Sequence, residues 1–89
     1  MADAAVVESL IRTLRDIEDS EEIKSIDESP DHPLVVSARA HADDVLVDGP
    51  VPMRESVRDA GFPVFSLETD RFGWLLGGIR TAKGVLRFG

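Results

Sequence analysis

Val7, Leu10, Ile11, Leu14 and Ile17 recur near the start of the chain at i, i+3, i+4, i+7 and i+10, the spacing of one face of an α-helix. With Asp3 as N-cap, the pattern predicts a helix over 3–18, with Arg12, Arg15, Asp16 and Glu18 on its polar side. DSEE, 19–22, breaks the pattern. IKSIDE, 23–28, fits either a strand or an extension of that helix. SPDHP reads as a turn, because Pro30 and Pro33 interrupt regular structure. LVVSARA, 34–40, opens on β-branched residues and is expected to be a strand. The two segments would form a hairpin around SPDH. DVLVD, 44–48, alternates at Val45 and Val47 and is expected to be a further short strand.

DGPVP is a sharp loop. Pro52 suits the first position of a second helix, and Gly61 suits the residue just past its end. Met53, Val57 and Ala60 form a narrow apolar stripe between them. FPVFSLE is the next expected strand, its start weakened by Pro63. TDR turns the chain into the longer strand FGWLLGGIR, and TAKG turns it again into VLRF. The expected fold class is therefore α+β, in the order α-β-β-β-α-β-β-β. It is a two-layer sandwich, with two helices packed on one face of a mostly antiparallel sheet of four to six strands.

In the long strand, Phe72, Trp74 and Leu76 share one face, and Gly73, Leu75, Gly77 and Ile79 share the other. Gly73 and Gly77 would leave hollows that a helix can approach, and the Gly77–Gly78 doublet is a candidate bulge. A phosphate loop is not expected: Arg80 and Thr81 do not supply the Gly-Lys-Ser/Thr ending, and the spacing G-x-x-x-G-G between strands is not the dinucleotide fingerprint. Structural packing is the expected use of these glycines.

Length sets one domain, 1–89, large enough to fold alone with little margin. Cysteine is absent, which excludes disulfides, thiolate metal sites and a cysteine nucleophile. No apolar run approaches the roughly 20 residues that span a bilayer, and the N-terminus lacks a basic signal region. A cytoplasmic location without membrane partners is expected. Charge adds most to the picture. Seventeen acids, ten of them Asp, oppose ten bases, eight of them Arg, for a net charge of −7. This composition resembles that of haloarchaeal cytoplasmic proteins, and the resemblance implies a salt-adapted habitat. A dense acidic surface keeps a protein soluble while its self-repulsion requires screening by salt. The charge is also unevenly spread. Residues 1–48 hold thirteen acids and four bases, net −9, whereas residues 49–89 hold four acids and six bases, net +2.

Candidate chemistry is sparse. HADD brings His41, Asp43 and Asp44 together with Asp48 nearby, too few aligned ligands for a metal site. VLVDG lacks the second aspartate of phosphatase-like motifs, since position 50 is Pro50. Consecutive acids at 21–22 and 43–44 diverge in either a helix or a strand, and make poor acid/base pairs. No catalytic residue, metal or cofactor is expected, and the protein is read as a non-enzyme. The residues with binding potential are Arg71, Trp74, Arg80 and Lys83, bases bracketing the aromatic strand as in sheet-based RNA binders. Phosphate contacts weaken steeply with salt, so salt bridges to the chain's own acids are the first expectation for these bases. The final strand, with Val85, Leu86 and Phe88, is expected at a sheet edge and at an interface. The functional expectation is thus a protein-interaction or assembly module, acting as a homodimer or with another protein. The alternatives are an RNA-binding accessory protein and a small-ligand sensor.

Overall fold

Helix α1 spans Ala4–Asp19; of the stripe the spacing predicts, Val7, Leu10, Leu14 and Ile17 are buried and Ile11 is half-buried against the core. In this computed structural model residues 4–47, 51–65, 68–69 and 75–88 are described, to the side chain except at 51–53, 68–69 and 75–76. Past α1 the chain runs through turns rather than a strand. Ser20 Oγ accepts from the Glu22 N–H and Ser25 Oγ from the Glu28 N–H. The Ser29 N–H reaches the Ile26 carbonyl and the His32 N–H the Ser29 carbonyl. Ile23 and Ile26 are buried and pin these turns to the core.

The segment expected as the strand 34–40 is helix α2, Pro33–Ala42. Pro33 starts it, in the position where a missing N–H costs nothing. His32 is the N-cap, in extended backbone conformation, and its Nδ1 accepts the Leu34 N–H at 3.1 Å. Val35, Ala38 and Ala42 are buried whereas Val36 is exposed. That is a helical, not an alternating, burial pattern. The β-branched pair Val35–Val36 is a weak preference that tertiary burial overrides. The expected strand 44–48 is likewise replaced by a π-helical turn, Asp43–Val47, continuing α2. It buries the adjacent residues Val45 and Leu46 together, which a period of two cannot do.

Helix α3, Val51–Asp59, ends as the sequence suggests. Gly61 has φ of 99°, its N–H reaches the Arg58 carbonyl, and the Phe62 N–H reaches the Val57 carbonyl. These two bonds make a Schellman cap. Its hydrophobic contact is supplied by Val57 and Phe62, both buried in the core.

Three antiparallel strands close the chain: β1 (Glu68–Thr69), β2 (Leu75–Thr81) and β3 (Gly84–Phe88), in the spatial order β1-β2-β3. β1 is only two residues long, so the sheet is in substance the β2–β3 hairpin. A single bridge, Val64 to Ile79, lies ahead of β1. The expected sandwich of four to six strands with two helices is therefore wrong. The described residues hold three α-helices and a two-stranded hairpin with a short flank. The cause lies in the first half of the chain, where no strand forms among the described residues. In the hairpin turn, positive φ occurs at Gly84 (113°) and not at Ala82 or Lys83. This excludes the primed two-residue turns and puts the left-handed residue where a G1-type bulge uses it.

α1 packs on α2, and α2 packs on β3. The core runs from Leu10, Leu14 and Ile17 through Val35, Ala38 and Leu46 to Ile79, Leu86 and Phe88.

Candidate binding surface

The register assigns every hairpin residue to a face. Gly77 pairs with Phe88, Ile79 with Leu86, and Thr81 with Gly84. Ile79, Leu86 and Phe88 are buried core residues, so this is the inner face, and Gly77 belongs to it. Gly78, Arg80, Val85 and Arg87 alternate to the outer face. Phe65 joins them. Its N–H donates to the Gly78 carbonyl at 2.8 Å, and the Arg80 guanidinium sits over its ring at 5.2 Å from the centroid. A Cβ at Gly78 would stand 2.7 Å from Val85 Cγ1 and 3.2 Å from Phe65 Cδ2. Gly78 therefore makes room on the outer face, and that room is bounded by Val85 and by the Phe65 ring.

The directions of the backbone groups follow. Gly78 offers its carbonyl to Phe65, and the Arg80 N–H reaches the Pro63 carbonyl. Peptide groups alternate along a strand, so Ile79 turns its own toward β3. On β3, Leu86 faces back to β2, while Val85 and Arg87 turn their N–H and C=O groups outward. Among the described residues nothing bonds these outward groups. The opposite flank is less open, since Arg58 donates to the Val64 carbonyl at 3.4 Å.

The bases expected to bind a ligand go to separate places. Lys83 is structural: Nζ donates to the carbonyls of Ser20, at 2.8 Å, and Ile23. These acceptors lie just past the C-terminus of α1, where a cation complements the helix dipole. The Ala82 N–H donates to Glu18 Oε2 at 2.7 Å, and the Ile26 N–H donates to the Lys83 carbonyl at 2.9 Å. The hairpin tip is thereby tied to the turns that follow α1. Arg80 is exposed and faces Phe65. Arg71 and Trp74 lie outside the described residues. Among the described residues no ion pair joins an arginine of the second half to an acid. Of the expected interface residues, Leu86 and Phe88 point into the core and Val85 is half-buried on the outer face.

His41 and Asp43 lie at the end of α2 and in the π-helical turn, not in a hairpin, and no metal-ligating cluster is present among the described residues. A shallow groove of about 560 Å³ runs beside α1, lined by Glu8, Ile11, Arg12, Arg15, Asp16, Asp19 and Ala60. No described helix is long and apolar enough to cross a membrane. No family model, curated protein or solved structure matches the chain. Sequence reasoning missed Phe65 and Gly78. The only signal was Phe65 standing two residues after Pro63, in a strand whose partner carries the glycine doublet.

Proposed function

We propose that the protein is a non-catalytic assembly module of a salt-rich cytoplasm, pairing through the outer edge of β3 with a second copy of itself. The observation that carries this reading is the outward-turned peptide groups of Val85 and Arg87. An edge strand with free N–H and C=O groups is a template for another strand. Two copies related by a two-fold axis at Leu86 would set Val85 of each opposite Arg87 of the other. That register keeps the two Arg87 side chains from facing one another, and isologous contact is the usual form of self-association. The one charge on this edge is thus compatible with pairing.

Light scattering on the purified chain at several concentrations in molar KCl tests the reading. The expected result is a dimer mass that falls toward the monomer on dilution. Arg87→Pro removes one outward N–H and no ladder bond to β2, so it should give a folded monomer. Leu86→Pro should unfold the hairpin instead. A wild-type mass equal to the monomer at every concentration overturns the proposal.

A further inference from the structure

The outer face of the hairpin carries chemistry that edge pairing does not use. Phe65 is 39% exposed, an unusual position for a phenylalanine in a chain with only four. Arg80 lies over its ring. Arg87 stands across from Gly78, and Arg80 across from Val85, so the two arginines are diagonal neighbours, roughly 7–8 Å apart at the backbone. Both are exposed, and neither is paired with an acid among the described residues. The positions on this face whose side chains are described are Phe65, Gly78, Arg80, Val85 and Arg87, and none is acidic. Toward the other end the register sets Glu68 beside Leu76. The basic part of the face is therefore the end that holds Arg80 and Arg87.

We infer that this face, built on Phe65, Arg80 and Arg87, is a docking surface for a single-stranded nucleic acid. The charge is complementary: two exposed guanidinium groups stand on one small face with no acid partner among the described residues, and they favour an anionic partner even in a chain of net charge −7. The aromatic ring narrows the class. An acidic peptide would be satisfied by the arginines alone, whereas a nucleic-acid strand offers phosphates to the guanidinium groups and a base to stack on the exposed ring. The cation above the ring enlarges that stacking platform. Gly78 is the structural condition for it, because a Cβ there would press on Val85 Cγ1 at 2.7 Å and on the ring at 3.2 Å. The contacts involve base faces and phosphates rather than sugar hydroxyls, so RNA and DNA strands of one sequence should bind alike. The site is independent of the β3 edge, since side chains on this face point away from the plane in which strands pair.

Fluorescence anisotropy with labelled oligouridylate and oligothymidylate of about ten nucleotides tests the inference, with a duplex of similar length and a poly-glutamate peptide as competitors. Both single strands should bind. Phe65→Ala and Arg80→Ala should each weaken binding roughly 5- to 100-fold, and Arg80→Lys should fall between Arg80→Ala and wild type. Two or three phosphate contacts predict a slope of about −1.4 to −2.1 in log affinity against log salt. Amide NMR shifts on the wild-type chain provide a readout that no variant's folding can confound. Changes on strand addition should centre on residues 65, 78–80 and 85–87. The inference is overturned by shifts centred on α1, by poly-glutamate competing as well as the strands, or by no binding at the lowest salt at which circular dichroism shows the chain folded.

Discussion

Phe65 stands opposite Gly78, just past the Val64–Ile79 bridge, its amide bonded to the Gly78 carbonyl and its ring beside the space a Cβ would occupy. An aromatic residue shielding a strand glycine in this way restores the cross-strand contact that the glycine alone lacks. Val85 Cγ1 bounds the same space from the other side. Gly78→Ala should therefore overpack the outer face and cost about 1–3 kcal/mol in denaturant unfolding. The double variant Gly78→Ala with Val85→Ala should recover part of that loss, since it removes the closer of the two obstructions. Equal stability of Gly78→Ala and wild type would show that the outer face is not packed this closely around Gly78.

Lys83 supplies the second test. Its ammonium group satisfies carbonyls just past α1, and its own carbonyl receives the Ile26 N–H. Lys83→Met keeps the length of the side chain and removes the donor, leaving half-buried carbonyls unmet. A loss of about 1–3 kcal/mol is expected. Arg87→Met, on the exposed outer face, should change stability by no more than about 0.5 kcal/mol. The two variants measured side by side in urea separate a structural cation from a surface one.

The start of α2 depends on His32. Nδ1 accepts the Leu34 N–H, which places the ring proton of the neutral form on Nε2, 3.0 Å from Glu22 Oε2. Glu22 is an exposed partner and contributes little. The cap is the larger effect. His32→Ala should lower stability by about 0.5–2 kcal/mol, and His32→Asp, a good N-cap, should retain most of it. Thermal unfolding followed by circular dichroism distinguishes the pair, because the loss is of helix.

Salt dependence follows from the charge. The acids of the first half crowd onto α1 and the turns after it, where Asp16, Asp19, Glu21, Glu22, Asp27 and Glu28 are all exposed. Their mutual repulsion is screened within about 3 Å at 1 M salt. Melting temperature should therefore rise with KCl into the molar range. An unchanged melting temperature between dilute buffer and molar KCl would remove the salt-adapted reading.

The sequence by itself determined the parts of this protein whose signals are local. The i, i+3, i+7 stripe of α1 needs only a helix and a core to face. Gly61 ends α3 because a left-handed residue is required there and glycine adopts it at least cost. The turn at 81–84 places Gly84 at positive φ for the same reason. The outcome of 33–47 was decided only by tertiary packing. Val35 and Val36 lean toward a strand, yet Val35, Ala38 and Ala42 can all reach α1 and β3 only from a helix, and burial outweighs a preference of a few tenths of a kcal/mol. The fate of the second half's bases was likewise invisible along the chain. Whether a lysine at 83 binds a ligand or caps a helix ending at 19 depends on a contact across more than 60 residues, and no local pattern encodes contacts at that separation. Phe65 and Gly78 belong to the same class: each is unremarkable in its own strand, and only the register that sets them opposite each other makes them one feature.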